Sequence, residues 1–174
     1  VECYSTINGK LLFSAKKQYY GNCIKFSTDD RTLLTLSSGI IAINIASQQE
    51  TKFIKLDYTQ FDESGATLDM VDPSHIMLLN KTGWQIWNIP EKKIDFKYTF
   101  EKEPFTRVYL PSLKYLATKA DQLEFRDIYT GKVVKTLPFG QLVSSINSKE
   151  FILYNGENYT IYNGENFTTK QKLK

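Results

Sequence analysis

Leu123-Glu124-Phe125-Arg126-Asp127-Ile128-Tyr129-Thr130-Gly131-Lys132 decides how this chain is read. A short run with Leu and Phe in alternation ends in Arg-Asp, and a Tyr-Thr-Gly turn follows. That is a strand closed by a tight turn. The phrase recurs: Gln85-Ile86-Trp87-Asn88-Ile89 repeats the strand and its polar end, and Ile43-Asn44 and Tyr162-Asn163 repeat the closing pair. Near the start, Tyr4-Ser5 takes that place, and Ile7-Asn8-Gly9-Lys10 matches Tyr129-Thr130-Gly131-Lys132. The second residues of the pairs, Ser5, Asn44, Asn88, Asp127 and Asn163, are separated by 39, 44, 39 and 36 residues.

The segments around each pair repeat as well. Ile24-Lys25-Phe26-Ser27, Leu68-Asp69-Met70-Val71, Arg107-Val108-Tyr109-Leu110 and Val143-Ser144-Ser145-Ile146 read as first strands. Second strands are expected at 32–36, 76–80, 115–119 and 151–155, and fourth strands at 52–56, 94–100, 133–137 and 167–173. No long stretch keeps apolar residues at helical spacing. A period near 40 residues with four short strands per unit is the spacing of propeller blades, whereas leucine-rich and helical repeats are shorter or carry helical periodicity. The expected fold is therefore all-β, a β-propeller of four-stranded antiparallel blades. A partial blade is expected at 1–16 and whole blades at approximately 22–57, 66–100, 105–138 and 142–174. Because the first phrase opens near a third strand, we expect about four blades plus a partial one, belonging to a larger ring, with a compact four- or five-bladed ring as the alternative.

These residues resemble the WD-repeat β-propeller family. Ile24-Lys25-Phe26-Ser27-Thr28-Asp29-Asp30-Arg31-Thr32-Leu33-Leu34-Thr35 looks like its first hairpin, and 123–132 like its third strand and following turn. The resemblance implies a ring that usually has seven blades and carries protein partners on its faces. The departures are plain. The family's Gly-His dipeptide is absent from every repeat, and only Asp127 keeps the acidic member of the Trp-Asp pair. The family's Asp-His-Ser/Thr-Trp hydrogen-bond network cannot form, and quinoprotein-like propellers stay open as an alternative class.

The turn residues fit tight hairpins. Asp72-Pro73-Ser74 and Pro111-Ser112-Leu113-Lys114 join first to second strands, while Lys81-Thr82-Gly83 and Asn155-Gly156-Glu157 join second to third. The longer connector at 57–65 is acidic and carries two aromatics. With Tyr19 and Tyr20, its Tyr58, Phe61, Asp62 and Glu63 are the candidate partner-binding residues, on loops expected at a ring face. Trp87 falls at the family's core Trp position and Trp84 near the strand start, three residues apart and hence on opposite faces.

Composition bounds the rest. The chain has 174 residues, 14% aromatic and 24% charged, enough for a packed core and unlike a disordered chain. A net charge of +3, with 19 of the 22 basic residues Lys and only Arg31, Arg107 and Arg126 as Arg, gives no nucleic-acid footprint. No apolar run is long enough for a spanning helix, and Val1-Glu2-Cys3-Tyr4 shows no signal-peptide pattern. Cys3 and Cys23 cannot supply a four-ligand zinc site. His75 is the only His and falls in an expected exposed turn, so no catalytic triad or metal motif is expected. Three N-x-[ST] sequons, at Asn80, Asn158 and Asn166, matter only in a secreted protein.

The expectation is thus a non-catalytic protein–protein interaction scaffold or targeting module of an intracellular, cytoplasmic assembly, with no cofactor and no metal. Its partners would be other protein subunits and the remaining blades of the same ring. The alternative is a quinoprotein-like propeller enzyme or small-ligand binder with a site at the channel mouth; first strands poor in acids and bases speak against it.

Overall fold

The computed structural model describes residues 2–14, 24–27, 31–37, 39–54, 65–137, 140–147 and 149–173. The chain divides into two compact units, Val1–Thr99 and Phe100–Lys174. The first unit opens with a two-stranded sheet, β1 (Glu2–Tyr4) and β2 (Leu11–Ser14). A first blade follows, from β3 (Ile24–Phe26), β4 (Thr32–Ser37), β5 (Gly39–Asn44) and β6 (Glu50–Ile54). The second blade is β7 (Thr67–Asp72), β8 (His75–Leu79), β9 (Gly83–Asn88) and β10 (Lys93–Thr99).

The second unit holds two more blades. One comprises β11 (Thr106–Leu110), a 3-10 turn Pro111–Leu113, β12 (Tyr115–Lys119), β13 (Leu123–Asp127) and β14 (Val133–Leu137). The other comprises β15 (Gln141–Asn147), β16 (Glu150–Tyr154), β17 (Tyr159–Asn163) and β18 (Thr169–Leu173). Every four-stranded sheet is an antiparallel meander in chain order. The blade pattern read from the sequence is therefore present, with bounds shifted by a residue or two. β6, expected at 52–56, begins two residues earlier, at Glu50; residues 55 and 56 lie outside the described residues.

The turn between third and fourth strands explains the repeated Asn or Asp. Its side chain accepts backbone N–H groups that the turn leaves over. Asn44 Oδ1 takes the N–H of Ser47 at 2.9 Å, Asn88 Oδ1 that of Glu91 at 3.0 Å, and Asp127 Oδ1 those of Tyr129 and Thr130 at 3.0 and 2.8 Å. Asn163 Oδ1 likewise takes Glu165 and Asn166. Asn serves as well as Asp because only the acceptor is used, so losing the acid from most repeats leaves the turn intact.

Four residues after each pair, the chain is left-handed: Gly9, Gln48, Lys92, Gly131 and Phe167 have φ of 67°, 56°, 55°, 70° and 58°. Glycine adopts this conformation freely, while Gln48, Lys92 and Phe167 carry a steric cost. A further tie closes each blade. The amides of Ile45, Ile89, Ile128 and Gly164 donate to the carbonyls of Arg31, Ser74, Lys114 and Lys149, each just before a second strand. Seven residues after Ser5, Asn88, Asp127 and Asn163, the fourth strand bulges, with Leu12, Asp95, Val134 and Lys170 as the extra residues. In the first blade the bulge comes later, at Phe53.

Packing follows the units. Leu34, Leu36, Ile40 and Ile54 of the first blade share one core with Leu68, Ile76 and Leu78 of the second. Phe125, Leu123 and Ala117 share another with Phe151 and Leu153. The rings of Phe125 and Phe151 lie 4.9 Å apart, and each burial stabilises by about 1.5–3 kcal/mol. The second strand β8 is covered on both faces: Ile76, Met77, Leu78 and Leu79 are all buried. The fourth strands β10 and β14 are mostly exposed, and every residue of β18 is exposed.

Two expectations need correction. Trp84, not Trp87, is the fully buried tryptophan; it stacks on Tyr98 at 4.3 Å, across the strand pair where Gly83 lets the backbones close. Trp87 is half-buried, packs against the core shared by the first two blades and donates through Nε1 to Gln85 Oε1. His75 is not in an exposed turn but is the half-buried first residue of β8. The opposite-face placement of the two tryptophans holds.

These turns make quantitative predictions for urea unfolding. Lys92→Gly should raise the unfolding free energy by about 0.5–1 kcal/mol by relieving the left-handed cost. Asp127→Ala should lower it by about 1–2 kcal/mol through the unmet turn amides. Gly83→Ala should cost on the order of 3 kcal/mol, because its Cβ would stand 1.9 Å from the Tyr98 carbonyl oxygen.

Candidate functional site

The candidate residues read from the sequence, Tyr19, Tyr20, Tyr58, Phe61, Asp62 and Glu63, all lie outside the described residues. The described residues show instead a charged cluster on the second blade. The β7–β8 turn places the Asp72 carboxylate 2.9 and 3.0 Å from His75 Nδ1, and Asp72 Oδ1 also accepts the Ser74 amide at 2.8 Å. The bulge in β10 turns Asp95 back over the sheet, so that its Oδ2 stands 3.1 Å from His75 Nε2 and 3.2 Å from Asn88 Nδ2. Lys93 lies 3.8 Å from Asp95 and is also paired with Glu91.

Ionised carboxylates only accept, so an imidazole held by two of them must donate from both nitrogens and be an imidazolium. Partial burial pulls the His75 pKa down, but hydrogen bonds and charge from Asp72, then from Asp95, outweigh it and leave the group above its ordinary 6.5. A folded-state value above the unfolded one stabilises the fold fully at pH below about 6.5. That contribution fades as pH rises through the raised value.

Two first-strand features also matter. Lys25 and Asp69, on the first strands of adjacent blades, pair at 2.8 Å. The expectation that first strands are poor in charge thus misses an ion pair that bridges two blades; neither residue carried a motif that could have flagged it. Arg107, on β11, has a buried Nη1 with no hydrogen-bond partner among the described residues. It pairs across the sheet with Thr118, as Leu68 pairs with Leu78 in the second blade, so a cation stands where another blade has a core leucine. That guanidinium could hold an anion. A pocket beside Trp84, lined by Asn80, Gln85, Lys97 and Tyr98, has room for about a single water.

Among the described residues, no group of three or more His, Cys, Asp or Glu could hold a metal ion, and no helix is long and apolar enough to cross a membrane.

No protein-family model matches the chain, and no curated protein matches it. Solved structures do. One is described as "Dihydro-heme d1 dehydrogenase NirN in complex with DHE" and superposes with a TM-score of 0.57 at 16% identity. The match covers 86% of this chain and 36% of that one, so the chain spans just over a third of that protein's length. NirN is a β-propeller. The four-stranded antiparallel sheets and this likeness establish the fold as a β-propeller.

A buried N–H left without a partner costs free energy, and Arg107, though only half-buried, keeps one such atom at Nη1, which an apolar side chain would remove. Arg107→Leu should therefore raise the unfolding free energy by about 1 kcal/mol, read as a higher urea midpoint at unchanged slope.

Proposed function

We propose that these blades form part of a WD-repeat-like propeller that binds other proteins without catalysing a reaction. Their partners would be neighbouring subunits of a cytoplasmic assembly and further blades of the same ring. The observation that carries this reading is the β1–β2 sheet. Among the described residues it has two strands where every other sheet has four, and Tyr4, Ile7, Leu11 and Leu12 are between 44% and 94% exposed. Large apolar residues exposed on one hairpin are a surface for other protein, further blades of the ring included. The repeated turns support the WD-repeat likeness, since Asn replaces Asp in them without loss of the acceptor.

A second reading, a small-ligand-binding propeller, is favoured by the likeness to NirN, which is described in complex with DHE. At 16% identity that likeness carries the fold, and the ligand does not follow from it.

Native mass spectrometry of the whole protein, purified from its own cells, separates the two. We expect complexes with other protein subunits in fixed stoichiometry. A monomer carrying one small organic ligand contradicts the interaction reading and supports the second.

A further inference from the structure

In two blades, the first residue of the second strand is tied to the bulge residue of the fourth. In the last blade Glu150 opens β16 and pairs with Lys170, the extra residue of β18. In the second blade His75 opens β8 and pairs with Asp95, the extra residue of β10. The geometry is shared and the polarity reversed, with the acid on the second strand in one blade and on the fourth in the other. In each case a bulge re-aims a side chain across the intervening third strand.

We propose that the His75–Asp95 tie is a pH-sensitive latch that holds the outer strand β10 to the β7–β8 hairpin when His75 is protonated and releases it when His75 is neutral. A neutral imidazole has one N–H and so donates to one carboxylate. Asp72 is held in its own turn by the Ser74 amide and stays near Nδ1, so Asp95 is the partner that is lost. Asp95 then keeps Asn88 Nδ2, at the end of β9, and Lys93 of β10 itself, neither of which lies on β8. The charged groups around the imidazole are Asp72 on β7, Asp95 and Lys93 on β10, and Glu91 in the intervening turn, which neutralises Lys93. The Glu150–Lys170 tie contains no imidazole and acts as an internal reference.

The chain's single histidine makes the test clean. Its imidazole C–H resonances, followed by NMR from pH 5 to 9, should titrate above the free-histidine range in the unaltered protein and shift down in Asp95→Asn. Amide exchange in β10, corrected for the intrinsic pH dependence, should quicken several-fold across that titration while β18 stays level. In His75→Gln the pH step in β10 should vanish. If His75→Gln does not fold, Asp95→Asn serves, with β10 fast at every pH. The latch is overturned if β10 and β18 respond alike, if the β10 step survives His75→Gln, or if His75 titrates at the free-histidine value.

Discussion

A four-stranded blade has two faces that both need cover, and the whole structure follows from that constraint. Ile76 and Leu78 point one way from β8, and Met77 and Leu79 the other, yet all four are buried. One face meets Leu34, Leu36, Ile40 and Ile54 of the preceding blade, so neither blade has a complete core alone. Phe125 and Phe151 play the same part in the second unit. Stability is thus a property of neighbours, as in other repeat architectures.

What repeats most faithfully is a turn. An Asx or Ser residue, a left-handed residue four positions on and a bulge seven positions on recur in nearly every unit. The turn fixes hairpin register, and a one-residue slip would put every buried side chain on the wrong face. The device tolerates Asn, Asp and Ser at its head and Gly, Gln, Lys and Phe at its left-handed position. A repeat can lose its signature residues and keep its backbone. Where Arg126 stands in the usual aromatic place, its guanidinium hydrogen-bonds the Gly131 carbonyl at 3.0 Å and closes the same turn.

Strand number, order and spacing were legible because period-two patterning and turn chemistry are local. Bulges were not. They are register events between strands, so the placement of Asp95 beside His75 could not be read from residues 20 positions apart. The early β6 reflects a turn that finishes at left-handed Gln48, a conformation the side chain gives no hint of. Spacing puts the tryptophans on opposite faces, but Trp84 gains its burial from Tyr98 on β10 and from Gly83, a cross-strand fit invisible in β9 itself. The aromatic and acidic connector residues expected at a ring face lie outside the described residues.

The interaction reading needs blades that support one another, and each unit has a core shared by two blades. Its physical basis is the sharing of one core by two blades. The most direct measurement is native-state amide exchange in Phe151→Ala, a substitution expected to cost about 3–5 kcal/mol. The shared core predicts faster exchange in β12 and β13 of one blade together with β16 and β17 of the next. Loosening confined to β15–β18, with β12 and β13 unchanged, would contradict it.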